Sequence, residues 1–199
     1  MTKPVSLVLA SASPRRAELL AQIGVAFTIQ SADIDESILP TEDPAKYVRR
    51  LANAKAREVA LSIAQQAFVL GADTVVVVDG EVLGKPKELD DAAQMLAKLS
   101  GREHHVLTGV ALVESPQARQ IQSFVVTTAV RFRCLSSQEI TAYLNSGEPM
   151  DKAGGYGIQG LGGALVKSIT GSYSNVVGLP LAETHELLSG VGHDTGLSA

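Results

Sequence analysis

The 199-residue chain has no tryptophan and only 4% aromatic residues, so it lacks the stacking platforms on which single-strand binders lay successive bases. A basic excess is missing too: 17 lysines and arginines against 21 acids leave a formal charge of −4, which argues against polymeric nucleic acid. Any nucleotide chemistry here concerns small molecules. Cys134 is the sole cysteine, which rules out an intrachain disulfide or cysteine metal site and suits a reducing cytoplasm. The histidines (His104, His105, His185 and His193) have no metal-ligand spacing. No apolar run approaches membrane-spanning length. Lys3 and the apolar residues 5–10 imitate a secretory signal, but the stretch is too short and Arg15-Arg16 follow at once. The phosphate-binding pattern GxxxxGK[ST] is absent.

What is present reads as globular: 45% hydrophobic and 19% charged residues, in alternating strand-like and helix-like segments. Residues 5–10 form a buried strand, a helix through 17–21 opens at Pro14 and is closed by a C-cap at Gly24, and 25–30 form a second strand. Asp43-Pro44 opens a long helix to about residue 65, with Asp43 capping and Pro44 in its first turn. Residues 68–78 are the most apolar strand, and Asp79-Gly80 turns it into a hairpin through 81–83. A helix at 90–100, strands at 106–113 and 121–132, and a capping box Ser136-Ser137-Gln138-Glu139 follow. Six glycines then fall between 154 and 163, before a strand at 165–169 and a final helix at 181–188 with Pro180 in its first turn. The expected fold class is α/β, a mixed twisted sheet with flanking helices. One domain covers 1–189, and 190–199 is expected as a flexible tail.

Three places carry candidate chemistry. Ser13 is a natural N-cap and Pro14 a natural first helical residue, so Arg15 and Arg16 stand where the helix already carries partial positive charge. Either an anion compensates them at a phosphate-binding corner, or they extend into solvent. Asp73 lies in the apolar strand, where a carboxylate needs a cation, a donor or a proton. It is either a hydrogen-bond acceptor for a loop, or a general base or metal ligand facing a cleft. Gly71 beside it suits close backbone or ligand approach. Lys55 shares the apolar stripe Val48, Leu51, Ala52, Lys55 and Val59, with no acid on that stripe one turn earlier. It either snorkels along that face or reaches a polar cleft.

Lys85, beside Pro86, is a third candidate cation. Gly155, Gly157 and Gly160 match GxGxxG, but a helix and loop precede them and no acid follows at a strand end, so a dinucleotide fingerprint is rejected. The stretch is either flexible, or it lets backbone approach a ligand with Gln159 or Lys152 in contact. Separated cations (Arg15, Arg16, Lys55, Lys85, Lys152) and acids (Asp35, Glu36, Asp73) suit a phosphate chain with a carboxylate-bound Mg²⁺ or Mn²⁺.

The ordered segments LASASPRR (9–16), Asp35-Glu36, Asn53-Ala54-Lys55-Ala56, Gly71-Ala72-Asp73-Thr74, Gly84-Lys85-Pro86 and DKAGGYGIQG (151–160) resemble the Maf family of nucleoside triphosphate pyrophosphatases. The resemblance implies two lobes around a cleft, as in the inosine triphosphate pyrophosphatase-like fold. It also implies metal-assisted hydrolysis of a nucleoside triphosphate to monophosphate and pyrophosphate. By position, Asp73 matches the proton acceptor; Ser13, Arg16, Glu36, Lys55 and Lys85 match the polar active-site set, with Glu36 and Asp73 as metal ligands. Arg15, Thr74 and Gln159 agree with the dTTP/UTP branch, where the 7-methyl-GTP branch has tyrosine, glutamine and glutamate. A cytoplasmic enzyme of nucleotide-pool sanitation is expected; relatives are often homodimers, but the sequence identifies no dimer surface. The rivals are a non-catalytic nucleotide-binding regulator of cell division or septum formation, and a nicotinamide-cofactor enzyme resting only on GxGxxG.

Overall fold

A computed structural model describes residues 5–197. Strands β1 (Ser6–Ala10), β2 (Thr28–Ile29), β3 (Ala67–Val78), β4 (Glu81–Leu83), β5 (Glu103–Glu114), β6 (Arg119–Phe132) and β7 (Val166–Thr170) form one seven-stranded sheet. Its order is β2-β1-β3-β5-β6-β7, with β4 paired to β3. β1 pairs in parallel with β2 and β3, while β3–β4 and β6–β7 are antiparallel, so the sheet is mixed as expected. The helices are α1 (Pro14–Gln22), α2 (Pro44–Ser62), α3 (Leu89–Leu99), α4 (Ser137–Leu144), α5 (Tyr173–Val177) and α6 (Leu181–Gly190). Among the described residues no helix is long and apolar enough to cross a membrane.

The chain divides into two compact units. The first comprises residues up to Asp73, 108–126 and those from Gly178 on. One part of its core is built from small side chains: Ala52, Ala56, Val59 and Ala60 of α2 against Val8, Ala10, Ala67, Val69, Ala111 and Val113 of the strands, while Leu7, Leu9, Leu51, Leu70 and Leu112 are also fully buried in this unit. Two strand glycines set how close α2 lies. A Cβ at Gly71 would strike the Ala52 carbonyl oxygen, and one at Gly109 would strike that of Val48. The helix backbone therefore rests directly on the sheet, which is the close approach that Gly71 was expected to serve.

The second unit comprises 74–107 and 127–177. Its core is larger-grained, with Leu96 and Leu99 of α3 and Tyr143 of α4 packed with Val76, Val106, Val130, Phe132, Tyr156 and Leu165. His104 is buried there, its Nε2 hydrogen-bonded to the Tyr156 hydroxyl at 2.6 Å and its ring edge-on to Phe132. Within this unit the capping box at Ser136 and Glu139 forms as read from the sequence.

Several boundaries move for local reasons. The strand expected at 25–30 shrinks to Thr28–Ile29, an edge strand that pairs only with β1 among the described residues. Helix α2 stops at Ser62, whose hydroxyl donates back to the Val59 carbonyl while Ile63 turns extended. Pro180 is the residue before α6, its carbonyl accepting from the Thr184 hydroxyl at 2.7 Å. In the segment expected as a flexible tail, Thr195 is buried and bonded to His185 Nδ1, and the Gly196 N–H donates to the Ile23 carbonyl at 2.6 Å.

Burial pushes His104 down to about 4, with the neighbouring His105 charge adding to it. The unfolded chain protonates this ring near 6.5, so stability from the neutral imidazole is complete above that pH and is lost as pH falls towards 4. The total available is at most about 3 kcal/mol. In urea unfolding, the stability advantage of the wild type over His104→Leu should narrow between pH 6.5 and 4; a gap independent of pH would refute it.

Candidate active site

In the first unit, Lys55 gathers two carboxylates from separate elements. Its Nζ donates to Asp73 Oδ1 at 2.7 Å and pairs with Glu36 Oε1 at 2.7 Å. The geometry follows from the packing of β3 on α2. Residues 71 and 73 share one face of the strand, and with Gly71 pressed on Ala52 and Ala56, Asp73 reaches Lys55. Asp73 is only 7% exposed, so the ammonium supplies the cation that its burial demands. The Glu36 side chain, 57% exposed, comes from the stretch between β2 and α2.

The β1–α1 corner contributes the second cation. Arg16 donates from Nε to the Gly178 carbonyl at 2.9 Å and from Nη1 to Ser11 Oγ at 3.2 Å. Burial lowers the Arg16 guanidinium from the ordinary arginine value; Asp73 opposes that shift, Arg15 adds to it, and Glu36 opposes it. Arg16 therefore lies within electrostatic range of Arg15 and of both carboxylates. The first turn of α1 holds no acid of its own. Ser13 is its N-cap and Pro14 its first residue, as read from the sequence, but the Ser13 side chain makes no capping bond. The Ser13 N–H donates instead to Ser11 Oγ at 3.2 Å.

Thus the first unit brings Lys55, Glu36 and Asp73 together, with Arg16 in electrostatic range of both carboxylates. The donor chemistry fits a hard divalent ion: two carboxylates converge on one Nζ, and Mg²⁺ commonly takes one or two carboxylates plus phosphate oxygens. Groups of three or more His, Cys, Asp or Glu placed to hold a metal do not occur among the described residues, so further ligands would come from substrate and water.

The remaining candidates lie in the second unit. Lys85 is exposed, and the carbonyl of its neighbour Gly84 accepts from the Gly154 N–H at 2.9 Å, which ties it to the glycine-rich stretch. Thr74 shares a strand face with Val76, against which Gly154 packs. Gln159 is exposed and precedes the 3₁₀ turn Gly160–Leu165.

In the glycine-rich stretch the backbone is tied to the chain's own side chains. Glu148 accepts from the Leu161 N–H at 3.0 Å and the Gly162 N–H at 3.3 Å. Gly160 has φ +66°, and a Cβ there would lie 2.6 Å from Glu148 Oε1, so glycine is required by the chain's own folding. Lys152 donates to the Glu148 carbonyl and to Asp151, each at 2.6 Å.

Sequence reasoning missed Ser11, Tyr47 and the Gly178 carbonyl. Tyr47 had a signal: Tyr47, Leu51 and Lys55 recur at helical spacing on one face of α2.

Residues 6–191 match the family described as Maf-like protein. The chain belongs to the Maf family. This Maf chain is 55% identical over 186 residues to a dTTP/UTP pyrophosphatase of Pseudoalteromonas atlantica, covering 92% of this chain and 95% of that one. It is likewise 55% identical to a dTTP/UTP pyrophosphatase of Escherichia coli O157:H7, with 92% of each covered. A solved Mycobacterium abscessus structure, described as a nucleoside-triphosphatase / dITP/XTP pyrophosphatase, matches at 16% identity and a TM-score of 0.44, over 94% of each chain.

The Lys55–Asp73 pair in this Maf chain is buried on both sides, with side chains 12% and 10% exposed. Removing one partner of such a pair leaves an uncompensated charge, so Lys55→Met should cost about 3 kcal/mol in urea unfolding. Lys55→Met/Asp73→Asn should recover most of that loss. Equal instability of the two variants would show that the pair does not hold β3 to α2.

Proposed function

We propose that this Maf protein hydrolyses dTTP and UTP to the monophosphate and pyrophosphate. The observation that carries the reading is the Lys55 ammonium shared by Asp73 and Glu36 beside Arg16, in a chain 55% identical to proteins named for that activity. Lys55 and Arg16 balance the two carboxylates, and Arg15 beside Arg16 adds a further cation, which favours an anionic ligand.

In the proposed reaction, water attacks the α-phosphorus, forming a new P–O bond as the bond to the α,β-bridging oxygen breaks and pyrophosphate leaves. Asp73 accepts the proton of the attacking water. Arg15, Arg16 and Lys55 neutralise phosphate oxygens, and the Ser13 corner adds the N-terminal dipole of α1. Positioning and electrostatic stabilisation supply most of the acceleration in phosphoryl transfer. Glu36 and Asp73 would hold Mg²⁺ or Mn²⁺, which when bound supplies charge neutralisation on the phosphates. Lys85 is proposed as a further phosphate cation, and Thr74 and Gln159 as determinants of base choice; these roles rest on the family resemblance. The same reading takes the enzyme as cytoplasmic, acting on free nucleotide in pool sanitation.

Pyrophosphate release from dTTP or UTP with Mg²⁺ tests the proposal, and a chain that binds these nucleotides without turnover would be a regulator instead. Asp73→Asn should lower kcat at least about 100-fold, the low end for loss of a general base, while thermal unfolding stays cooperative. Near-normal turnover would remove Asp73 from the role. Gln159→Glu should impair dTTP and UTP hydrolysis more than that of purine triphosphates. A uniform loss across nucleotides would argue against base selection at this position.

A further inference from the structure

Residues 30–43 carry Glu36 but contain neither helix nor strand. With more than half of its side chain exposed, Glu36 is not fixed by burial. Two side chains of α2 grip its backbone instead. The Tyr47 hydroxyl donates to the Glu36 carbonyl at 2.8 Å, and Arg50 Nη2 donates to the next carbonyl, Ser37, at 3.0 Å. Tyr47 and Arg50 are three residues apart and so lie side by side on the helix.

The grip is itself braced. Glu42 receives the Arg50 fork through Nε and Nη2, both at 2.7 Å, and its Oε2 also accepts from the Leu39 N–H at 3.1 Å. The guanidinium carbon sits 5.5 Å from the Tyr47 ring centroid, within cation–π range. Inside the loop, Asp35 Oδ1 accepts from the Ser37 N–H at 2.9 Å. The hydrogen bond from Arg50 lowers Glu42 from the ordinary carboxylate value, so the brace stays ionised near neutrality. Burial raises the Tyr47 phenol, with Asp73 and Glu36 adding to the shift, so its hydroxyl remains a donor. Helix α2 thus supplies both the cation that meets the Glu36 carboxylate and the donors that hold its backbone.

We propose that Tyr47 and Arg50 are positioning residues that hold Glu36 on Lys55, and that turnover depends on them through Glu36. The dependence on turnover rests on the hydrolase reading above; the hold on the loop does not. A purely stabilising role would be indifferent to whether residue 36 carries a charge, and that difference makes the inference testable.

Tyr47→Phe removes only the hydroxyl, and Arg50→Lys keeps the charge but loses the fork. Each is to be combined with Glu36→Gln, with kcat and KM measured on dTTP at saturating Mg²⁺, and amide hydrogen exchange followed over 35–39. Tyr47→Phe should lower kcat about five- to tenfold, the worth of one hydrogen bond, with little change in KM. In the Glu36→Gln background the same substitution should change kcat less than about twofold, since a residue acting through another adds nothing once that one is gone. Exchange at 35–39 should quicken in Tyr47→Phe. An equal fall in both backgrounds, no fall in either, or unchanged exchange would overturn the proposal. If the wild type releases no pyrophosphate, the hydrolase reading falls on its own; the exchange result then decides whether Tyr47 holds this loop.

Discussion

One ammonium group organises the first unit: Lys55 Nζ, 2.7 Å from both Asp73 Oδ1 and Glu36 Oε1. Three elements distant in sequence meet there, namely the helix that carries the lysine, the strand that buries the aspartate, and the irregular segment that delivers the glutamate. The two pairings are not equivalent. The Lys55–Asp73 side is shielded from solvent, so its attraction is strong and its loss costly. The Glu36 side is open to water and screened, so it contributes little by itself and needs the backbone hydrogen bonds from α2 to persist.

The constraint behind this arrangement is distance between backbones. Aspartate is a short side chain, and β3 must lie close on α2 for it to meet a lysine that approaches along the helix. Glycines at 71 and 109, set against the carbonyls of Ala52 and Val48, allow that approach, and the alanines at 52, 56 and 60 keep the opposing surface low. Larger side chains at these contact positions would hold the helix backbone further from the strand.

Much of this was legible in the sequence where the signal is local. The α2 stripe placed Lys55 on the buried face, Asp43 caps that helix as read, and Ser136-Glu139 forms its box. What was not legible depends on long-range partners. Arg16 is fixed by a carbonyl 162 residues away, which no periodicity encodes. In the glycine-rich stretch the composition suited a flexible loop or approach by a ligand, and local sequence does not encode the approach of Glu148 and Tyr143. A Cβ at Gly162 would lie 2.6 Å from the Tyr143 hydroxyl, and Lys152, read as a ligand contact, is turned onto Glu148 and Asp151.

Strand alternation carries one more consequence for the proposed chemistry. Asp73 and Thr74 are adjacent in β3, so their side chains project to different faces and answer to different neighbours. Asp73 is committed to Lys55, whereas Thr74 shares its face with Val76, on which Gly154 rests. The Gly154 N–H is in turn bonded to the carbonyl preceding Lys85. The neighbours of the Thr74 face are therefore not those of the carboxylate beside it.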